Sequence, residues 1–220
     1  MTAKPLTLIV AAASSNGAIG RNNDIPWRLR NELGYFHKVT TAAPAHTMNA
    51  CILGRLCWLS IPPRHRPLAS RYNIILTSDP SILDSAAGAA GAAMPPPPFT
   101  VTRPSLAAAL EHIDELNRGS EVKIDRVFVC GGRGVYAEAL GAPGHVQILR
   151  TDVRLDEEEA KKCDVFFPEV DQQLFVRQTH ERLEQVAGVP VPRGLQTEAG
   201  IQYEFQLYEK TPLPLEESRS

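Results

Sequence analysis

The stretch Val127–Leu140, "VFVCGGRGVYAEAL", opens with four apolar residues, passes through three glycines and an arginine, and ends in a helix-forming run. A short, unbroken apolar run suits a strand covered on both faces. Glycines at its end permit a tight turn or a close approach of backbone to a ligand. The stretch therefore reads as strand, turn, helix, and by itself leaves open whether the turn is a phosphate cradle.

Working outward, the same kind of run recurs as "LTLIVAAA" (6–13), "ACILG" (50–54), "YNIILT" (72–77), "RVFVC" (126–130) and "VQILRT" (146–151). Candidate helices separate these runs: about 27–40, a short one near 57–60, 105–118 with Ser105 as N-cap, and 134–140. Strand–helix alternation predicts an α/β fold with a largely parallel sheet. In the last third, "LFVRQTHERLEQVA" and "IQYEFQLYEK" alternate apolar and polar, which predicts an antiparallel pair closing one sheet edge. The acidic "LDEEEAKK" (155–162) reads as a solvated loop. "DSAAGAAGAAMPPPPFTV" (84–101) is low-complexity and reads as a surface insertion at about 84–98, and the tail from about 211 reads as loose.

The 220 residues suit one domain with a real core. Net charge is −2 and the pI about 6.3, so no basic face points to nucleic acid. Cys51, Cys57, Cys130 and Cys163 lack zinc-like spacing, and no histidine pair suggests a metal. Buried free thiols and a reducing, cytoplasmic setting are expected. The N-terminal apolar run is too short to cross a membrane and reads as a buried strand.

"DIPWRLRNELGYFHKVT" carries the chemistry. At about 100° per residue, Leu29, Leu33, Phe36 and Thr40 share one stripe, with Glu32 at its edge. A carboxylate there either reaches water or sits in an apolar pocket, where burial raises its pKa and suits it to proton donation. Upstream, "NGAIGRNNDIPW" reads as a mobile, glycine-rich loop. Gly54 and Arg55 follow one strand, Thr77 and Ser78 another, and "GGRG" a third. Open α/β sheets bind ligands outside the carboxyl ends of their strands. Three anion-friendly ends suggest an extended, phosphate-bearing cofactor.

These pieces, with "LRTDV", "DVFFPEV" and "YEFQLYEK", resemble in order the dihydrofolate reductases, of eukaryotic type with fungal-like length and motifs. The resemblance implies a single α/β domain: an eight-stranded, mostly parallel mixed sheet with an antiparallel C-terminal strand and flanking helices. It implies NADPH-dependent reduction of 7,8-dihydrofolate to 5,6,7,8-tetrahydrofolate, with hydride delivered to C6 and a proton to N5. Antifolate inhibitors are implied as ligands, and a monomer as the working form. A riboflavin-pathway pyrimidine reductase, which would not need the Trp27–Glu32 pairing together with Arg71, and a non-catalytic pterin- or nucleotide-binding protein, against which the retention of Glu32 argues, are the alternatives.

By resemblance, Glu32 binds the pterin 2-amino group and N3 and promotes N5 protonation, supported by Thr151, with Trp27 beside the substrate. Val10, Ala11 and Cys130 line the pterin pocket. Leu33, Phe36, Ser60, Ile61 and Leu68 flank the pterin and benzoyl groups, and Arg71 pairs with the glutamate α-carboxylate. Gly54, Arg55, Leu56 and Cys57 hold the cofactor phosphates, and Gly132, Arg133, Gly134 and Val135 the pyrophosphate. Ala11 and Tyr136 lie near the nicotinamide, and Ile19 and Gly20 in a closing loop. Thr77, with Arg55, meets the 2′-phosphate; Ser78 stands beside it, and Arg103, at the next strand-to-helix junction, is a candidate to replace the arginine that Ser78 displaces. The chain departs from the family pattern at Cys57 (usually threonine), Cys130 (isoleucine or valine) and Ser78 (often arginine). Cis peptides are implied at Gly131–Gly132 and Arg66–Pro67.

Overall fold

The computed structural model of the chain describes residues 4–86 and 99–211. The insertion and the tail anticipated from composition lie almost wholly outside them.

At the centre, β1 (Leu6–Ala13) alternates its side chains between two cores. Leu6, Leu8, Val10 and Ala12 face one; Ile9 and Ala13 face the other. Around it stand β3 (Thr47–Gly54), β4 (Arg71–Leu76), β5 (Thr100–Arg103), β6 (Lys123–Gly131) and β7 (Val146–Arg154), then β10 (Gln196–Glu198) and β11 (Ile201–Lys210). Across the sheet the order is β10–β11–β7–β1–β6–β3–β4–β5, with β9 (Phe175–Arg177) also paired to β11. Strands β1, β3, β4, β5, β6 and β7 run parallel, and β11 runs antiparallel to β7. This is the single α/β domain expected, eight strands wide.

Helices cover both faces. On one, α3 (Leu106–Gly119) and α4 (Arg133–Leu140) bury Leu106, Ala109, Ile113, Tyr136 and Ala139. On the other, α1 (Arg30–Thr41) and α6 (His180–Ala187) bury Tyr35, Val39, Leu183 and Ala187. Both faces of the parallel strands are therefore shielded, which is why these strands read as continuous apolar runs. Ser105 caps α3 as expected, accepting a hydrogen bond from the Ala108 amide.

Several expectations are corrected. The first helix begins at Arg30, because Leu29 is still extended. The short helix α2 (Arg55–Ser60) begins directly after Gly54. "LFVRQTHERLEQVA" is a strand only at Phe175–Arg177 and then becomes α6. Thr179 caps that helix through the Arg182 amide, and Gly188 (φ 70°) ends it, so local capping overrides the alternation. The acidic segment forms a one-turn helix, α5 (Glu157–Lys161), because Asp156 caps it and three glutamates sit at its positive end. Ile19 and Gly20, expected in a loop, lie in β2 (Ala18–Gly20), paired with β8 (Val165–Phe166).

At the amino ends of the strands, Arg126 ties two helices together. Its guanidinium donates to the carbonyls of Val39 and Ala42 at the end of α1, and of Val186 and Ala187 at the end of α6. It also lies over the Phe128 ring, 5.2 Å from the centroid. Positive charge is favourable at helix C-termini, and losing the guanidinium leaves several partly buried carbonyls without a donor. Arg126→Met is expected to destabilise the fold by about 2–4 kcal/mol, read as a lower urea midpoint at unchanged slope.

Candidate active site

The carboxyl ends of the central strands converge on Glu32. It occupies the first turn of α1, and Thr151 Oγ1 on β7 donates to its Oε1 at 3.0 Å. Thr151 is buried and pairs in register with Ala11 of β1. Burial pushes the Glu32 carboxyl up to about 7; the Thr151 hydrogen bond opposes that shift, and the charge of Glu198 adds to it. The group thus changes protonation near neutral pH, as a proton donor or relay requires. Trp27 is 5% exposed, and among the described residues its indole Nε1–H has no partner.

Glu198 is a further residue of the site that no sequence motif marks. Its two carboxyl oxygens accept from the Arg30 and Asn31 amides at the start of α1, 2.6 and 3.0 Å away. It lies 168 positions from Arg30, so no local pattern could reveal it.

Of the stripe anticipated around α1, Leu29 and Thr40 are buried as expected, but Leu33 is not, and the buried face extends to residues outside the stripe. Tyr35 and Val39 are buried, Phe36 is half-buried, and Leu33 is 59% exposed. Leu33 is therefore an apolar side chain outside the core. Ala11, Phe36, Ile61, Leu68, Cys57 and Cys130 all pack on the same hydrophobic cluster as Trp27. The structure thus brings together most of the expected pterin-side residues, but the Val10 side chain lies on the opposite face of the sheet, because side chains alternate along β1. Ser60 donates its hydroxyl to the Cys57 carbonyl within α2.

Arg71 is 5% exposed. Its Nε–H donates to the Ala69 carbonyl and one terminal N–H to Thr40 Oγ1, each at 2.9 Å, and its guanidinium carbon lies 5.9 Å from the Phe36 ring centroid. Among the described residues no carboxylate forms an ion pair with it. A buried cation held only by neutral acceptors is suited to an anionic ligand.

Two helix starts meet on the other side. Gly54 leads into α2 and Gly132 into α4, and neither helix start has a side-chain cap. A Cβ on Gly54 would lie 3.3 Å from the Gly132 amide nitrogen and 3.0 Å from a Val135 methyl. At Gly131, φ is 131° and a Cβ would come within 2.9 Å of Cys57 Sγ. Only glycine fits there, so Gly131 shapes the site, although the family resemblance names its neighbour Gly132. The Gly131–Gly132 and Arg66–Pro67 peptides are cis, as the resemblance implied. Burial pushes the Cys57 thiol up to about 11 and raises Cys130 as well, so both stay neutral. Tyr136 is buried, donating its hydroxyl to the Ile9 carbonyl at 2.8 Å with its ring edge-on to Phe167. Its hydroxyl would stand 3.6 Å from a Gly131 Cβ. Arg55, Leu56, Arg133 and Gly134 are exposed around this junction.

Thr77 and Arg103 are neighbours, the Thr77 amide donating to the Arg103 carbonyl at 2.8 Å. Ser78 beside them is exposed. The Arg103 guanidinium turns to His112 Nδ1 and the Thr102 carbonyl. At the opposite end of the sheet, a cavity of about 620 Å³ is lined by Lys4, Arg126, Gln147 and Arg182 among others. Its cations are already engaged by Asp125, Glu209 and backbone carbonyls.

The arrangement combines a proton-holding carboxyl, a buried cation for an anionic tail, an apolar wall between them, and paired helix starts for phosphates. A model of the dihydrofolate reductase family matches residues 6–191. The dihydrofolate reductase of Bos taurus is 37% identical over 209 residues, 94% of this chain and 98% of its own length. That of Pneumocystis carinii is 37% identical over 219 residues, 93% of this chain and 96% of its own. The solved Schistosoma mansoni enzyme superimposes with a TM-score of 0.70 at 28% identity, covering 96% of this chain and all of that one. With site geometry and comparisons in agreement, the chain belongs to the dihydrofolate reductase family.

Proposed function

We propose that the protein catalyses NADPH-dependent reduction of 7,8-dihydrofolate to 5,6,7,8-tetrahydrofolate. The observation that carries this reading is the Glu32–Thr151 pair at the carboxyl ends of the central strands, a carboxyl held by one hydroxyl and pushed up by burial from the usual carboxylate range to about 7. The alternative pyrimidine-reductase and binding-protein readings are not favoured by the family match.

In this reading Thr151 fixes Glu32 Oε1, which leaves Oε2 to meet the pterin 2-amino group and N3. Glu32 holds a proton near neutral pH and passes it toward N5 through water, and Trp27 Nε1–H helps hold that water. Ala11 and Cys130 floor the pocket, with Val10 contributing backbone alone because its side chain faces the opposite core, while Leu33, Phe36, Ser60, Ile61 and Leu68 wall it and exclude solvent. Exclusion of water strengthens each polar contact inside. Arg71 binds the α-carboxylate of the glutamate tail.

The helix starts after Gly54 and Gly132 fit a dinucleotide, because close-set glycines expose uncapped amides where a Cβ would intrude. Arg55, Leu56 and Cys57 would hold one phosphate, and Gly132, Arg133, Gly134 and Val135 the pyrophosphate. When bound, the nicotinamide supplies the hydride that reaches pterin C6. Tyr136 and Ala11 would border that ring, with Ile19 and Gly20 covering the entrance. Thr77, Ser78, Arg55 and Arg103 would meet the 2′-phosphate, for which Arg103 would have to leave His112. We read the working form as a cytoplasmic monomer that binds dihydrofolate and antifolates. The four free thiols fit a reducing compartment.

Purified protein with NADPH and dihydrofolate should lose absorbance at 340 nm, and absence of turnover in folded protein would overturn the assignment. Arg55→Ala is expected to lower the ratio of kcat/KM for NADPH over NADH by about 10-fold or more, the worth of a charge-assisted contact. Equal loss with both cofactors would remove Arg55 from the 2′-phosphate site.

A further inference from the structure

Helix α1 carries Glu32 in its first turn, yet its N-cap, Leu29, offers no side-chain acceptor. The missing acceptor comes from the far end of the chain. Glu198 receives the Arg30 amide on one carboxyl oxygen and the Asn31 amide on the other. It closes β10 at a tight hairpin, where Ala199 and Gly200 both have positive φ, 51° and 79°. Such two-residue turns match the twist of the flanking strands and leave little freedom to the residues beside them.

The same hairpin reaches the other side of the Glu32 carboxyl. Strand β11 leaves the turn at Ile201 and pairs Phe205 with Thr151, the residue that donates to Glu32. The Phe205 ring stacks on Tyr35 of α1 at 4.1 Å. Helix start, hairpin and Thr151 thus form one closed loop of contacts around Glu32.

We propose, building on the reductase reading, that Glu198 is a positioning residue for the reaction: its carboxylate caps the helix that carries Glu32, holds Glu32 in register with Thr151, and opposes a second negative charge there. A bare helix start is positive and would favour the ionised form of a first-turn carboxyl. Glu198 offsets that field and adds like-charge repulsion. The other groups facing Glu32 are Thr151 from β7, Tyr203 from β11, Tyr136 from α4 and Tyr35 on its own helix. Burial pushes all three tyrosine hydroxyls up, so they stay neutral and leave Glu198 as the charged group acting on Glu32.

The test compares wild type, Glu198→Gln and Glu198→Asp. Carbon-13 NMR follows the Glu32 carboxyl in the protein alone, with Glu32→Gln identifying the resonance. In parallel, the pH profile of kcat/KM is recorded with NADPH and dihydrofolate. Glu198→Gln is expected to move the Glu32 titration to lower pH, with a loss of about threefold on the basic limb of the profile. Glu198→Asp should recover most of the shift. A lowered melting temperature with an unmoved Glu32 titration would reduce Glu198 to a structural cap and overturn the proposal. Hydrogen exchange on wild type needs no variant to fold: the Arg30 and Asn31 amides should be protected, and exchange at the rate of an open chain would refute the cap. If wild type turns over no dihydrofolate, the reductase reading fails, while the NMR titration still decides the cap.

Discussion

Glu32→Gln is expected to lower turnover of dihydrofolate at pH 7 by about 10²-fold or more, the usual magnitude for losing a positioned proton donor. Glutamine keeps the size and still accepts from Thr151 Oγ1, so the pocket should retain its shape. Stability should move the other way. Burial raises the Glu32 pKa in the folded chain from 4.5 to about 7. The folded state thus prefers the protonated carboxyl. Glu32 costs nothing below pH 4.5 and becomes an increasing cost as pH rises through about 7. At pH 8 the variant should therefore be as stable as wild type or more so, by up to roughly 3 kcal/mol. Chemical denaturation at pH 5 and pH 8 reads this: the difference between the proteins should be larger at pH 8. Near-wild-type turnover would refute the assigned role, and a stability gap that closes as pH rises would refute the burial argument.

Arg71→Leu is expected to reduce kcat/KM for dihydrofolate by about 10²-fold, mostly through KM, because a buried guanidinium–carboxylate contact contributes several kcal/mol. Arg71→Lys should recover only part, since an ammonium cannot reproduce the planar fork that the Ala69 carbonyl and Thr40 hydroxyl hold in place. A reduced pteridine lacking the glutamate tail separates binding from folding. Wild type and Arg71→Leu should reduce it at similar rates. If the variant fails equally on both substrates, Arg71 supports the fold and not the tail.

Much of this site was legible in the primary structure because its determinants are local. The bounds of β1 were read to the residue, since an eight-residue apolar run has few other solutions. Gly54 and Gly132 stand out at strand-to-helix junctions, and Glu32 at the edge of an apolar stripe, whereas Arg71 is marked only by the family resemblance. Errors arose where two local signals competed. The segment after Leu174 alternates like a strand, yet Thr179 and Gly188 bracket a helix within it. Leu33 satisfies helical spacing, but the buried face of α1 lies at Tyr35, Val39 and Thr40, so Leu33 stays outside the core.

Sequence alone thus determined the α/β class, the central strands and the residue types at their carboxyl ends. These follow from hydrophobic period and from the backbone freedom of glycine, both properties of neighbouring residues. Only the tertiary structure decided the proton affinity of Glu32, the Cys57 contact that confines Gly131 to glycine, the Arg126 clamp and the Glu198 cap. Each depends on burial or on a charge brought from a distant part of the chain. Solvent exclusion and Coulomb interaction act through space, and the spacing of residues along the chain does not encode them.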